Sequence, residues 1–444
     1  MNAAALLPFQ TAFDPPQHAE GSLDPLGLYS TADTLGVRLA PGVRQRQSKP
    51  RYLTLALVGH TVCQGQLTEL GASKGLPAWL VFEWLVVQSL VQRLTGTSEL
   101  QGVPGRDKVQ DTLKRGLSVC ASNYLKTPSV FGFHGIYRVL GVKAGLFDSD
   151  GHLLDAGRRV LQAWEREQHL IGFTGGHGPG REFRLAIERV VRNGLESGQL
   201  ASPRSDLSRL IADHLNPHRP GVIEQQVLWN SLMLSDPLRK EYGILLTSVE
   251  GQADWHDVHH DEAAFHERIA QRASLMMRQL LATIRAFERL SRLLTDAFDE
   301  ARWNLSNSGQ LTDIAGLAQG EAMQRAASEA PSAFVETLRL LGETDYAARL
   351  RAERTLIWTG EAGSAERFAA RLIAHHEAVQ RAKPPNGKRP WFDTFGDGRI
   401  AIRPAYAPRE YKPRDGIYVH AYRTDPIWSF ALDLGRVDAK EATV

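Results

Sequence analysis

A long stretch of helical periodicity in the middle of the chain constrains the fold more than any other feature. From Phe265 to Phe298, apolar side chains recur at steps of three or four residues or their multiples, the period of an α-helix with one buried face. Asp261 is well placed to cap this helix. A helix over about residues 261–303 would be ~60 Å long at the usual rise per residue. The pattern predicts a mainly α protein in which this helix serves as a spine.

Shorter patterns on both sides extend this prediction. Helical periods are found near residues 30–40, 50–66, 76–95, 107–125, 181–198, 205–215, 221–234, 312–328, 332–342 and 364–383. Beyond Pro384 the chain is rich in glycine, proline, aromatics and short alternations, which favour a small β-rich lobe. The predicted fold class is therefore mainly α and multi-domain: a helical bundle with a winged-helix-like unit and a small β-rich C-terminal lobe.

A chain of 444 residues normally forms more than one core, so we expect several domains. The glycine-rich loop at residues 172–180 is a candidate boundary. The expected segments are a proline-rich extended arm (1–29), a helical domain (30–171) that contains the winged-helix-like unit (about 107–169), a helical domain built on the long helix (181–383), and a basic, aromatic C-terminal lobe (384–444).

The segment at about residues 107–169 has the element order of a winged helix. A helix, a turn and a short helix near 133–140 are followed by a hairpin signal around Asp148–Gly151 and by another helix. In a DNA-binding winged helix, the second helix enters a groove and the hairpin meets phosphates. The candidate contacts are Lys126, His134, Arg138 and Lys143. The alternative is a purely structural unit or a protein-protein module, since Asp148 and Asp150 at the hairpin tip would repel phosphate.

Two further stretches are candidates for phosphate contact. The first has no acidic residue from Thr34 to Thr68, and its cations are Arg38, Arg44, Arg46, Lys49 and Arg51. Cations without local acids are typical of a nucleic-acid footprint, although they also pair with carboxylates distant in sequence.

The second basic stretch covers residues 381–423, where ten cations outnumber four acids and aromatic rings are interleaved. Cations for phosphates and rings for bases are what single-strand binding uses, whereas in the alternative the rings cap a helical core. The candidates here are Lys388, Arg389, Trp391, Arg399, Arg403, Lys412 and Arg423.

The histidine-rich stretch from Trp255 to Glu267 raises the possibility of a metal site. Glu262 and His266 are four residues apart on one helix face, and His259 comes from the preceding loop. The spacing matches neither the HExxH motif nor a zinc finger. Acids also gather at helix starts because the helix dipole favours them there, which is the structural alternative.

Composition excludes several classes of protein. The chain has 52 Lys and Arg against 50 Asp and Glu, a net charge of +2, so bulk charge does not predict a polyanion partner. Only Cys63 and Cys120 are present, which excludes a disulfide framework. The apolar run Leu76–Leu94 includes Glu83 and is too polar to span a bilayer. The low cysteine content fits a reducing cytoplasm, so we expect a cytoplasmic protein with no membrane contact. No catalytic signature is visible, which favours a protein that is not an enzyme and has no cofactor.

Several short stretches resemble an uncharacterised prokaryotic family that pairs a DPLG start with an LLPG…RARY segment. The matching stretches are Asp24–Gly27, Leu39–Val43 with Arg51-Tyr52, Leu146–Val160, Ala286–Phe298, Lys388–Phe392 and His420–Leu434. The chain departs from that pattern at Lys49-Pro50, where Arg-Ala is expected, and in the loop at 172–180. The resemblance implies a component of anti-phage defence loci that lie near helicases and nucleases, and it carries over no catalytic residue.

Three functional hypotheses follow. The first is a DNA-engaging, non-catalytic subunit of a bacterial anti-phage defence complex that works with a helicase or nuclease and binds duplex or single-stranded DNA. The second is a helical protein-protein adaptor without nucleic-acid contact. The third is a metal-dependent nuclease that uses His259, Glu262 and His266 as ligands.

Overall fold

The computed structural model describes residues 24–307, 312–361, 363–384, 386–412 and 416–438. Across these residues the chain is mainly helical, with two small two-stranded sheets, so the predicted mainly α class is confirmed. Most of the expected N-terminal arm, residues 1–23, lies outside the described residues.

The helices are named in chain order. The first ten are α1 (Tyr29–Leu39), α2 (Tyr52–Val62), α3 (Gln66–Lys74), α4 (Ala78–Leu94), α5 (Arg106–Lys114), α6 (Pro128–Phe131), α7 (Phe133–Lys143), α8 (Asp155–Glu167), α9 (Pro179–Ser197) and α10 (Ser205–His214). The others are α11 (Val222–Leu234), α12 (Pro237–Thr247), α13 (Val249–Asp257), α14 (Glu262–Ala270), α15 (Leu275–Asn307), α16 (Ile314–Leu317), α17 (Glu321–Thr344), α18 (Tyr346–Leu356), α19 (Ala365–Arg381) and α20 (Thr424–Asp433).

The strands form two separate antiparallel pairs. They are β1 (Val119–Cys120), β2 (Gln199–Leu200), β3 (Phe392–Thr394) and β4 (Ile400–Ile402). Strand β1 pairs with β2, placing Val119 opposite Leu200, and β3 pairs with β4, placing Phe392 opposite Ile402. The second pair is the small β-rich part expected in the C-terminal segment.

The chain folds into two compact units, each made of two stretches. The first unit contains residues 24–35 and 261–422, and the second contains residues 36–260 and 423–438. This division differs from the four segments expected from the sequence. The C-terminal segment is divided because α20 contributes the buried side chains Ile427, Trp428 and Phe430 to the second unit.

The loop at residues 172–180 lies inside the second unit and does not separate domains. The carboxylate of Glu165 on α8 explains this. It accepts hydrogen bonds from the backbone N–H groups of Gly172 and Phe173 and from the hydroxyl of Thr174. Phe173 is fully buried. The loop is therefore fastened to the core.

The predicted spine helix is two helices in the structure. Asp261 caps α14 as expected, with its Oδ1 accepting from Ala264 N at 2.8 Å. The chain then breaks, and α15 starts after Ser274, whose hydroxyl accepts from Met277 N at 3.2 Å. Helix α15 alone has 33 residues. The apolar spacing continues across the break because both helices bury one face, so periodicity could not reveal it.

Helix α17 shows the opposite error: the sequence predicts two helices, near 312–328 and 332–342, where the structure has a single helix from Glu321 to Thr344. It continues through Pro331, with Ala330 and Phe334 buried on either side of that proline. In the first unit α15 and α17 form the most extensive helix pair. In the second unit α4 is central, because its residues from Leu80 to Val91 are buried without interruption.

Within the described residues, no single helix is both long and apolar enough to cross a membrane. The bent pair α3 and α4 passes that test jointly, by length and composition alone.

Candidate nucleic-acid interface

The predicted winged-helix-like segment has the expected order of elements in the second unit. Helices α5, α6 and α7 are followed by a minimal hairpin and by α8. The hairpin is a single bridge between Phe147 and Leu153, supported by hydrogen bonds from Asp148 N to His152 O and from Leu154 N to Leu146 O, both 3.0 Å. Strand β1 pairs with β2 instead of with this hairpin.

A buried carboxylate fixes the start of α7. Glu83 on α4 accepts a hydrogen bond from His134 N and another from the Tyr124 hydroxyl, each at 2.9 Å. Burial raises the pKa of Glu83 to about 7. The acceptor sits at the N-terminal end of the helix, where backbone N–H groups lack intrahelical partners. The orientation of α7 is therefore tied to α4.

His134 is a packing residue, and the prediction that it reads a groove is wrong. Its side chain is buried and its ring stacks on Trp79 with 4.4 Å between ring centres. Burial lowers the pKa of His134 to about 3, so the ring is neutral at ordinary pH. Because Trp79 and the surrounding core cover the ring, it is not accessible to a phosphate.

The basic segment at residues 42–49 docks on α7. Gln47 donates from Nε2 to the backbone oxygen of Ile136 at 2.8 Å. The hydroxyl of Tyr137 accepts from the backbone N–H groups of Ser48 at 3.1 Å and of Lys49 at 2.8 Å. These hydrogen bonds join two stretches that are about ninety residues apart in sequence.

Gly42 allows the close approach at the other end of the segment. Its φ is +83°, and a Cβ there would lie 3.0 Å from Leu140 Cα and from Lys143 Cβ. Any other residue would be strained in this backbone conformation and would push α7 away. The start of the segment therefore lies directly against the last turns of α7.

This docking places exposed cations of both stretches in one region of the second unit. The guanidinium of Arg46 lies over the ring of Phe131 on α6, 4.9 Å from its centre. Arg138 donates from Nη2 to Ser149 O at 2.7 Å. We call the exposed cations of this region the basic cluster: Arg44, Arg46, Lys126, Arg138 and Lys143. Arg38 is also exposed, in the last turn of α1.

The cluster is positive because neither stretch contains an acid. Residues 34–68 lack Asp and Glu, and so do residues 112–147. Within the described residues, no member of the basic cluster forms an ion pair with a carboxylate. The hairpin tip beside the cluster carries two acids, Asp148 and the exposed Asp150. Asp148 Oδ1 accepts hydrogen bonds from the backbone N–H groups of Asp150 and His152. Sequence reasoning missed that residues 112–147 are acid-free, although a count of Asp and Glu along the chain shows it. No comparable sequence signal indicates that Phe131 is exposed.

Two of the predicted phosphate contacts in this unit are wrong because their side chains are buried. Arg51 is fully buried and pairs through Nε with Glu224 Oε1 at 3.1 Å. Arg423 is 4% exposed and donates from Nε to Val43 O at 3.1 Å. Lys49 remains partly exposed, but its ammonium pairs with Asp433 at 2.5 Å. These three cations hold the unit together.

The C-terminal basic stretch, up to residue 422, belongs to the first unit, and acids within that stretch neutralise much of it. Arg399 pairs with Asp397 at 2.6 Å, Arg403 with Asp393 at 2.7 Å, and Lys412 with Glu410 at 3.3 Å. Lys388 is half-buried and Arg389 is exposed. Fewer cations of this stretch are therefore available to bind phosphate than the sequence count suggests.

Trp391 is not available as a stacking platform, so this prediction is wrong. Its side chain is 8% exposed. The ring stacks on Tyr406 at 4.8 Å, and the guanidinium of Arg302 lies 4.9 Å from the ring centre. For Trp391 the other interpretation, that the aromatic rings cover a packed core, is the right one, because the ring packs inside the first unit.

The predicted metal ligands belong to different units: Glu262 and His266 to the first, and His259 to the second. In the first unit, Glu262 Oε2 accepts from Tyr422 N at 2.7 Å, and His266 Nδ1 shares a hydrogen bond with the Tyr418 hydroxyl at 3.2 Å. Burial lowers the pKa of His266 to about 3. His259 is exposed in the second unit, with a φ of +49°. Metal binding by these residues stays a prediction.

The basic cluster is thus the feature that best connects the sequence predictions with the structure. Comparison of the chain with protein-family models, with curated proteins and with solved structures gives no match.

Proposed function

We propose that this protein is a DNA-engaging, non-catalytic subunit of a bacterial anti-phage defence complex, working with a helicase or nuclease, and that it contacts DNA through the basic cluster. One observation supports this most: two acid-free stretches, distant in sequence, dock on each other and bring unpaired, exposed cations together. The link to defence rests on the resemblance alone, and DNA contact rests on the cluster.

The physical basis is the polyelectrolyte character of nucleic acid. Cations that replace condensed counterions along the phosphate backbone gain free energy from counterion release, and the gain shrinks as salt rises. Arg44, Arg46 and Lys143 are suited to this because no carboxylate in the described residues competes for them. An ion-paired cation such as Lys49 must first give up its partner, Asp433.

The test is a salt titration with a charge-reversal variant. We expect binding of labelled duplex and single-stranded DNA, measured by fluorescence anisotropy, to weaken steeply between about 50 and 200 mM salt. The double variant R44E/R46E should bind more weakly at every salt concentration, with a log-log slope shallower by roughly two if each arginine contacts one phosphate.

Arg204 provides the matched control, because it is an exposed arginine of the same unit that pairs with Asp206 at 2.9 Å. R204E should leave binding almost unchanged. Salt-insensitive binding, or an R44E/R46E variant that binds like wild type, would remove the basic cluster as the DNA contact.

One observation favours the adaptor as a second candidate. Val130, Phe131 and Val139, on α6 and α7, are exposed apolar residues close to the cations, with exposed fractions of 52%, 44% and 37%. Mixed apolar and basic surfaces also bind proteins. Co-purification of a protein partner from the native host, with no DNA binding by the isolated chain, would favour this function over the first.

A further inference from the structure

A charged cleft in the first unit is separate from the basic cluster. It has a volume of about 530 Å³ and lies between α14, α15, α17 and residues 416–418. Small-molecule sites usually enclose roughly 300–1,000 Å³. We infer that this cleft binds a small anionic ligand bearing phosphate or carboxylate groups, held by the arginines of α15. This inference does not depend on the proposed function.

The arginines form a regular row. Arg285, Arg289 and Arg292 follow one another at steps of four and three residues along α15, so they share one face of the helix. Arg325 on α17 lines the same cleft. A guanidinium has five N–H donors and no acceptor, which makes such a row suited to oxyanions.

Arg285 and Arg289 each use one guanidinium nitrogen within the described part of the protein. Arg285 Nη2 contacts Glu267 Oε1 at 3.0 Å, and Arg289 Nη2 contacts Glu329 Oε2 at 3.0 Å. Within the described residues, the Nε and Nη1 groups of these two arginines make no hydrogen bond. A ligand can therefore accept hydrogen bonds from the row without displacing either glutamate. Before a ligand binds, Glu267 and Glu329 hold the two guanidinium groups in position.

Arg292 and Arg325 share one buried carboxylate beside the cleft. Arg292 is 14% exposed at its side chain and contacts Asp296 Oδ1 at 3.3 Å, and its Nε donates to Ile417 O at 3.2 Å. Arg325 shares the same carboxylate, at 3.1 Å from Asp296 Oδ2. One buried carboxylate thus contacts two guanidinium groups, those of Arg292 and Arg325.

The remaining acid of the lining, Glu288, turns both oxygens toward donors of residues 419–422. Glu288 Oε1 accepts from His420 Nδ1 and from the Tyr422 hydroxyl, each at 2.7 Å. Its Oε2 accepts from the backbone N–H groups of Val419 and His420. Four donors therefore compensate this carboxylate on the side of residues 419–422.

The lining also contains apolar atoms, which define the rest of the ligand. Ala263, Leu293 and the half-exposed Ile417 border the cleft, beside the ring of Tyr418. A ligand with an anionic end and a carbon-rich or ring-containing body would bury its apolar surface there. A bare inorganic ion would use only the arginines and would bind more weakly.

Calorimetric titration with two probes, pyrophosphate and citrate, tests the site at low salt. We use the R44E/R46E background so that the basic cluster does not take up the probe. We expect one or both probes to bind, and R289Q and R292Q each to weaken binding about tenfold or more. Which probe binds better assigns the phosphate or carboxylate class. R292K keeps the positive charge but loses the planar set of guanidinium N–H donors, so it should bind the probe with an affinity between those of the background protein and R292Q.

The matched control is R339Q, an exposed arginine of α17 outside the cleft that pairs with Glu336 and Glu343. It should bind both probes like the background protein. If neither probe binds, or if the cleft variants bind like R339Q, the inference is overturned. If R292Q does not fold, judged by its thermal midpoint, the more exposed Arg289 still decides the question.

Discussion

At the scale of single residues, several charged side chains that sequence alone assigns to binding instead hold the fold together. Arg51 is the clearest case. Its guanidinium contacts Glu224, the backbone oxygen of His214 at 3.2 Å and that of Asn216, and Glu224 also accepts from the Thr54 hydroxyl at 2.7 Å. A buried charge of this kind is satisfied only by the whole set of partners.

Replacing Arg51 with methionine should therefore destabilise the protein strongly. The change leaves the Glu224 carboxylate buried without its main partner, which typically costs about 3–5 kcal/mol. Chemical denaturation of R51M measures the effect. R44M, at an exposed position, is the control and should change the free energy of unfolding by less than about 0.5 kcal/mol. Equal effects of the two substitutions would contradict a structural role for Arg51.

Glu83 should make stability depend on pH near neutrality. Burial raises its pKa to about 7 in the folded chain, against a usual value of 4.5. Between those values the folded state holds a proton that the unfolded state has lost. Stability from this group is therefore present at low pH and is lost as pH rises from about 4.5 to 7, by about 3 kcal/mol in all.

E83Q removes this titration while keeping a side-chain acceptor for His134 N. The difference in the free energy of unfolding between wild type and E83Q should shift in favour of E83Q as pH rises from 5 to 8. Denaturation at several pH values gives that difference. A difference that does not change with pH would show that Glu83 titrates at its ordinary pKa.

The sequence is informative about residues whose roles are local and much less about those whose partners are distant. Asp261 is correctly predicted as a helix cap, because the pattern lies within a few residues. The burial of Arg51 could not be predicted, because Glu224 lies on a helix 173 residues further along the chain. The burial of His134 could not be predicted for the same reason, since nothing nearby in the sequence shows that Trp79 covers its ring.

At the scale of elements, α6 and α7 differ from a simple charged surface. Phe131 is 44% exposed and has Arg46 over its ring. If the proposed DNA contact is correct, this ring is placed to stack on an unpaired base. Stacking on an aromatic ring is worth roughly 1–3 kcal/mol per base.

F131A should accordingly weaken binding of single-stranded DNA about tenfold, and duplex binding much less, because paired bases are not available for stacking. Anisotropy with a single-stranded oligonucleotide and the matching duplex measures both. V139A, at an exposed apolar position of α7, is the control. Equal losses for the two forms of DNA would argue against stacking and leave only phosphate contact.

Helices were predicted better than their ends. Apolar spacing identifies the buried faces of α14, α15 and α17, but the break at residues 271–274 and the continuity through Pro331 depend on caps and packing. In the C-terminal stretch, the sequence pattern itself is ambiguous. Aromatic rings among cations look the same in a stacking surface and in a packed lobe, and only the position of Trp391 between Tyr406 and Arg302 separates the two.

At the scale of the whole molecule, the second unit is closed by residues from the far end of the described chain. Thr424 shares a 2.6 Å hydrogen bond with the Tyr242 hydroxyl, and Trp428 lies against the ring of His256. Asp433 and Arg423 contact the basic segment through Lys49 and Val43. No sequence pattern predicts such closure, because it depends on contacts between residues about 170 or more positions apart.

Deleting residues 423–444 should loosen the second unit and spare the helices of the first. Hydrogen exchange followed by mass spectrometry should show lost protection in residues 42–49 and in α12, with α15 and α17 protected as before. A chain ending at Asp438 is the control and should exchange like the full chain. Unchanged protection of residues 42–49 after the longer deletion would show that α20 does not support this segment.

The position of α20 also sets an order of events during synthesis. A ribosome that has translated Gly36 to His260 must still produce the 261–422 stretch before it reaches the helix that completes the earlier unit. Until then, the nascent chain carries Arg44 and Arg46 on an unfinished scaffold. The surface that carries these arginines is therefore completed only after residues 423–433 have been synthesised.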